Sequence, residues 1–219
     1  MMNLDLFVDT SRKGISMALS QTRGESQKNF YVETIDESAR GETASAILDE
    51  LLTRVGARLE DIKRVLVTVG PGSFSGLRTG VAFCQGLCFS GKRELYGVSS
   101  LHALECFADA DSTEIAVVTK ARPGFWYFRQ TSSGIPEESF IETAMVLEHL
   151  KKTPAKYAVV DDAAEADESL RSFFAEAGLT VIKDTGKPLS CWSKLFNVVK
   201  PSLIQEANYI QPSYFEKLK

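Results

Sequence analysis

The sequence predicts an α/β fold in two parts, each a mixed sheet with helices packed on it, the second part reduced. Three observations predict this. Residues 4–34 hold three short apolar runs parted by tight turns, the pattern of an antiparallel meander. Strands and amphipathic helices then alternate through residue 108, which requires crossover connections and therefore parallel strands. Past a polar link at 108–113, "DADST", the same succession of runs partly repeats. These observations set two lobes, 1–108 and 109–219.

In chain order, "LDLFVDT" (4–10) is a strand, Lys13-Gly14 a turn, "ISMALSQ" (15–21) a second strand and "KNFYVET" (28–34) a third. "GETASAILDELLTRVG" (41–56) is helical. Ala44, Ile47, Leu48, Leu51, Leu52 and Val55 form one broad apolar stripe, and Gly56 can stop the helix. "RVLVTV" (64–69) is apolar enough throughout to be a central strand. A helix over 75–90 ends at Gly91, "ELYGVS" (94–99) is a strand, and a helix follows over 100–108. In the second half "EIAVVTKA" (114–121), the turn Arg122-Pro123-Gly124 and "FWYFRQT" (125–131) form a hairpin, to which "ESFIET" (138–143) adds a strand. Helix 144–152, strand "YAVVDD" (157–162), helix 165–177, strand "LTVIKD" (179–184) and helix 190–206 follow. The tail "NYIQPSYFEKLK" reads as irregular.

Composition bounds the function. The chain has 219 residues, 44 % apolar and 25 % charged, which suits an ordinary globular protein. Its net charge is −4, and its basic pairs Lys92-Arg93 and Lys151-Lys152 make no concentrated basic face, so an autonomous nucleic-acid binder is not expected. No apolar run approaches the roughly 20 residues of a membrane span, and the N-terminus does not read as a signal peptide. Cys84, Cys88, Cys106 and Cys191 are scattered without pattern, which favours a reducing cytoplasm.

The stretch with most chemical content is "VTVGPGSFSGLRTG" (67–80), a strand entering a glycine-rich turn and a helix. It departs by one residue from the Rossmann spacing, and the strand after its helix carries its acid, Glu94, at the start rather than the end. The nearest P-loop match, "GLCFSGKR" (86–93), has Arg93 where a Ser or Thr should hold magnesium, and it leaves a helix for a strand rather than the reverse. A structural joint is a third reading. Gly70 and Gly72 allow unusual backbone angles, Ser73 or Ser75 can cap the helix, and Gly76, Gly80, Ala82 and Gly86 leave one helix face nearly bare.

A fourth reading joins that turn to a family. "FVDTS" after the first strand, "TVGPGSFSGLRTGVAFCQGL", "GVSSL" (97–101) and "PSYF" (212–215) together resemble the bacterial TsaB (YeaZ) family of the ASKHA group, named for acetate and sugar kinases, Hsp70 and actin. The match is dense over residues 4–102 and thin afterwards. At the first helix the family often shows "SHSExLLP", where this chain has Gly41-Glu42. At the central hairpin it often shows "DARxxEVY", where this chain has Lys120 for the acid.

The resemblance implies two ASKHA, or RNase H-like, lobes. It implies a non-catalytic scaffold and activator in forming threonylcarbamoyladenosine (t6A) beside the tRNA anticodon. The partners would be the related catalytic protein TsaD and the ATPase TsaE, with tRNA met only through the complex and a homodimer formed alone. Gly70, Pro71, Gly72, Ser73, Gly76 and Arg78 would be the structural turn. Asp9, Thr10 and Ser11 stand where ASKHA proteins face a magnesium-bound phosphate. ATP or ADP with magnesium at a subunit interface is thus the one cofactor implied, with none tightly bound. The apolar helix stripes, Ala44, Ile47, Leu48, Leu51, Leu52 and Val55 with Leu77, Val81, Cys84 and Cys88, would pair with the partner's helices.

The residues themselves also favour a non-catalytic chain. His102 and His149 lie far apart, and Cys84 and Cys88 share a helix face with no second pair, so no metal site is expected. No second phosphate loop stands out, and "DDAAEAD" (161–167) is acidic. The rival reading is a small ASKHA-fold kinase that uses ATP on a metabolite.

Overall fold

A computed structural model describes residues 2–21, 30–36, 43–132, 135–184 and 189–210. The first sheet contains β1 (Leu4–Asp9), β2 (Ile15–Gln21), β3 (Phe30–Asp36), β4 (Ile62–Gly70) and β5 (Glu94–Ser99), in the order β3-β2-β1-β4-β5. β1, β2 and β3 pair antiparallel, while β1–β4 and β4–β5 pair parallel. The second sheet contains β6 (Ile115–Arg122), β7 (Phe125–Ser132), β8 (Ile135–Glu142), β9 (Tyr157–Val160) and β10 (Thr180–Lys183). Its order, β10-β9-β6-β7-β8, is that of the first sheet with β6 in the place of β1. Each sheet is therefore a meander followed by two crossover units, and the partial repeat read from the sequence is a repeat of topology.

Two compact units hold these sheets. One runs through Ser100 and takes in a later segment ending at Asn208; the other begins at Leu101 and holds the second sheet. In the first unit, α1 (Ala44–Val55) and α2 (Phe74–Cys88) cover the sheet face that carries Leu6, Val8, Met17, Val65 and Val67. Gly56 ends α1 at φ 66°, and Gly91 lies one turn past α2 at φ 70°, the left-handed geometry that suits a helix stop. The other sheet face is closed by a 3-10 helix over Leu189–Asn197, whose Phe196 ring lies 5.7 Å from Phe7 and 4.9 Å from Tyr96. The Arg64 guanidinium stacks on Phe196 at 4.1 Å and holds Asp5 by two bonds of 2.7 and 2.6 Å.

In the second unit, α4 (Thr143–Lys152), α5 (Asp162–Ala166) and α6 (Glu168–Glu176) close the core around Trp126, Phe128, Val146, Leu150 and Phe174. The short helix α3 (Ser100–Glu105) begins at the junction of the units. Within the second unit its Glu105 meets a buried Arg129 at 2.5 Å, and Arg129 also holds Glu138 at 2.8 Å. A buried guanidinium has to be paired in this way.

Three elements differ from the sequence reading. The helix expected over 165–177 is two helices, because Asp161 and Asp167 each cap a new start, accepting from Ala164 N at 2.8 Å and Leu170 N at 3.0 Å. The helix expected over 190–206 stops as a 3-10 helix at Asn197. Pro201 turns the chain out of helical geometry, and residues 201–208 lie as irregular chain against the first sheet. β8 starts at Ile135, earlier than expected, and continues the β7 ladder. The start of the first expected helix, Gly41-Glu42, and the "PSYF" segment fall outside the described residues.

Two measurements probe this core. Leu51 is fully buried beneath the first sheet, so Leu51→Ala should lower unfolding free energy by about 2–5 kcal/mol in a urea titration. His102 is held down to about 4 by burial and by the nearby Arg129 charge. The unfolded chain takes up that proton near 6.5, so it binds more protons than the native state between the two values. Stability should therefore fall as pH drops from 6.5 toward 4, and His102→Gln should flatten that limb of a Tm-against-pH curve.

Candidate functional site

β1 ends at Asp9 and the chain turns through Thr10, Ser11 and Arg12. The β4–α2 turn, Gly70 to Ser73, lies directly against it. Ser73 N donates to the Ser11 carbonyl at 2.7 Å, and Ser73 Oγ accepts from Gly76 N at 3.3 Å as the α2 cap. The glycines serve this approach. A Cβ at Gly72 would overlap the Ser11 carbonyl, one at Gly76 the Thr10 carbonyl, and one at Gly80 the Thr10 hydroxyl. Gly72, Gly76 and Gly80 recur every fourth residue because one backbone loop lies along all three. Pro71 is buried, its carbonyl accepts from Ser100 Oγ, and the Gly70–Pro71 peptide is cis.

Asp9 is 4 % exposed, and its oxygens are committed. Oδ1 accepts from Ser11 N at 2.9 Å, Ser11 Oγ at 2.6 Å and Thr68 Oγ1 at 2.8 Å. Oδ2 accepts from Arg12 Nε at 3.2 Å and Nη2 at 3.0 Å. Burial alone would raise this carboxyl. The Arg12 guanidinium and the bonds from Ser11 and Thr68 outweigh it and hold the group below the ordinary aspartate value. The Asp9 carboxylate and the Ser11 hydroxyl, amide and carbonyl are thus spent on tying β1, β4 and the start of α2 to one another. Thr10 Oγ1 is buried and lacks a hydrogen-bond partner among the described residues; it abuts the bare backbone at Gly80.

The second unit has the matching junction. Asp161, between β9 and α5, accepts from Lys120 N at the end of β6 at 2.7 Å while capping α5. Here a carboxylate rather than a glycine turn joins the first strand of the meander to the crossover helix. The contact at Lys120, where the chain departs from the family pattern, uses backbone and not side chain.

The apolar stripes lie elsewhere than expected. Ala44, Ile47, Leu48, Leu51 and Leu52 on α1, and Leu77, Val81, Cys84 and Cys88 on α2, are all buried, and all but Leu77 and Val81 belong to the first unit's core cluster. Val55 is half-buried against the same core. The α1 stripe, with Cys84 and Cys88, packs on the chain's own sheet, so a charge at Leu48 or Leu51 would fall in that core. Cys84 and Cys88 are buried thiols pushed up by desolvation, Cys88 to about 11, which leaves them unreactive. What α2 presents outward is a different arc: Phe74, Ser75, Arg78, Ala82, Gly86 and Phe89. Phe74 is 60 % and Phe89 81 % exposed, and nothing lies within 4 Å of a Cβ placed on Gly86. Among the described residues no group of three His, Cys, Asp or Glu could hold a metal ion, and no helix is long and apolar enough to cross a membrane.

Sequence reading missed one feature of the site. Residues 201–208 lie along β5 and reach the glycine turn, where Asn208 N donates to the Val69 carbonyl at 2.6 Å. A Cβ at Gly70, whose φ is 119°, would overlap the Asn208 carbonyl, and one at Gly97 the Gln205 side chain. The bare positions in "VGPG" and "GVSS" were the available signal.

Two units that repeat one meander-plus-crossover sheet, with the first loop seated on the first crossover helix, define the ASKHA, actin-like class. A family model described as TsaD, tRNA N6-adenosine threonylcarbamoyltransferase, matches residues 37–181. The chain belongs to that family, and within it is of the TsaB (YeaZ) kind. The tRNA threonylcarbamoyladenosine biosynthesis protein TsaB of Buchnera aphidicola subsp. Schizaphis graminum is 26 % identical over 174 residues, 74 % of this chain and 80 % of that one. Its namesake from Escherichia coli K12 is 26 % identical over 188 residues, 82 % of this chain and 78 % of that one. A crystal structure of an uncharacterized protein with similarity to peptidase YeaZ from Pseudomonas aeruginosa shares the fold at TM-score 0.66. It is 18 % identical and covers 96 % of this chain and 100 % of that one.

Two substitutions test the site's structural reading. Gly76→Ala sets a methyl against the Thr10 carbonyl and should cost about 2–3 kcal/mol in chemical denaturation. For Asp9 the folded value is depressed, so its stabilisation is complete above the unfolded value of 3.8 and is lost as pH falls through the folded one. Asp9→Asn should cost roughly 2–4 kcal/mol at pH 7, with the deficit shrinking toward acid pH.

Proposed function

We propose that this chain is a non-catalytic scaffold and activator subunit in forming t6A at the adenosine beside the tRNA anticodon, working through a complex with a TsaD-type transferase and a TsaE-type ATPase. The carrying observation is the saturation of Asp9. The carboxylate that the ASKHA architecture places for a magnesium-bound phosphate has five hydrogen bonds from its own chain. The glycine turn beside it is filled by the Thr10 and Ser11 carbonyls, whose partial negative charge opposes a phosphate. The relatives' names support the pathway, and the match to the TsaD model supports pairing of like folds.

Docking falls to the outward arc of α2. The helix has 15 residues, about 22 Å at 1.5 Å per residue. Its small middle, Ala82 and Gly86, lets a second helix approach closely, and Phe74 and Phe89 bracket that middle as exposed anchors. A homodimer through this arc would form when the transferase is absent. tRNA is met through the complex, and any ATP or ADP with magnesium sits at a subunit interface.

Ala82→Arg and Phe89→Ser should each lower copurification with the TsaD-type subunit at least tenfold while circular dichroism and Tm stay unchanged. Mixed with its transferase, the ATPase, tRNA and the threonylcarbamoyl donor, the wild-type chain should raise t6A measured by nucleoside mass spectrometry. Product formed by this chain and the donor on tRNA alone would overturn the reading.

A further inference from the structure

The segment after the buried 3-10 helix is built unlike the rest of the first unit. From Val198 to Asn208 no residue is buried, and its large apolar side chains point outward: Val198 is 64 %, Leu203 44 % and Ile204 76 % exposed. It is held instead by polar ties. Ser202 N donates to the Leu95 carbonyl at 2.8 Å, and Pro201 bridges Tyr96 antiparallel along β5, the edge strand of the sheet. Gln85 of α2 reaches across, donating Nε2 to the carbonyls of Gln205 at 3.1 Å and Leu203 at 3.3 Å. A turn at 202–205 is stitched by Ser202 Oγ to the Ile204 carbonyl at 3.0 Å and by Gln205 Nε2 to the Ser202 carbonyl at 2.9 Å. Asn208 closes the run on Val69 at 2.6 Å.

A cover fixed by exposed hydrogen bonds, with no side chain in the core, has little apolar burial to lose on leaving. Its seat remains shaped without it. Leu95 is buried from the side of α1 and α2, while Phe7 and Tyr96 are covered by Phe196. We propose that residues 201–208 are a latch that opens as a unit while the first unit stays folded. Opening bares the β5 edge and the backbone at Gly70 and Gly97, and it frees Gln85 of α2 from the segment's carbonyls. Closed, the latch shields an edge strand that would otherwise offer its carbonyls to another chain, and it sets the outer flank of α2.

Hydrogen–deuterium exchange of the full chain, read by mass spectrometry at pH 7, tests it. Peptides covering 198–210 should exchange at least tenfold faster than those covering β1 and β4. Gln85→Ala should speed the 198–210 peptides by about a further tenfold and leave β1 and β4 unchanged. Gln205→Ala, which removes the side chain that lies on Gly97 and ties back to the Ser202 carbonyl, should do the same independently. Exchange of 198–210 at the slow rate of β1 and β4, or indifference to both substitutions, would overturn the latch, and neither result bears on t6A formation.

Discussion

The first unit depends on one close approach: the backbone of Thr10 and Ser11 lying against the bare face of α2. Helices usually rest on sheets through side chains, at a distance set by the side chains between them. Here glycines at 72, 76 and 80 let a loop carbonyl, a second carbonyl and a hydroxyl occupy the space side chains would take. Asp9 then fixes the loop by drawing Ser11, Arg12 and Thr68 onto one carboxylate. Strand β1, strand β4 and helix α2 become one object, and the outward arc of α2 is presented at an angle that side-chain repacking cannot easily change.

That constraint explains why a turn resembling a phosphate loop need not be one. Bare backbone at a helix start suits an anion, and it suits equally a carbonyl of the same chain. The second unit solves the same joint by other means, since Asp161 grips Lys120 N and caps α5 with its two oxygens. Both crossover joints are thus closed from within. A phosphate arriving at the first would have to displace the Ser11 carbonyl from Ser73 N, and at the second it would meet a carboxylate.

Much of this fold was legible because it rests on periodicity and punctuation. The meander, the two crossover units and the stops at Gly56 and Gly91 follow from alternation, helical stripes and glycine. What was not legible shares a physical reason: a sequence shows that a face is apolar but not what covers it. The breadth of the Ile47-Leu48 and Leu51-Leu52 pairs reads as surplus, yet both pairs are filled by the sheet beneath α1. The exposed arc of α2 is harder to see because its middle is small rather than oily. Asp161 and Asp167 look like an acidic run until each is seen to start a helix. The segment 201–208 left almost no pattern, since it is held by backbone atoms that every residue possesses.

The same reasoning separates the two kinds of surface on this unit. Buried stripes set stability, and their substitution would be felt everywhere in the unit. The α2 arc carries Phe74 and Phe89 largely into solvent, with the Arg78 guanidinium 5.4 Å from the Phe74 ring. Beside them the residues that could have filled the gap, at 82 and 86, are alanine and glycine. The inner face of α2 is thus packed down to its glycines, and its outer face stays low between the two rings.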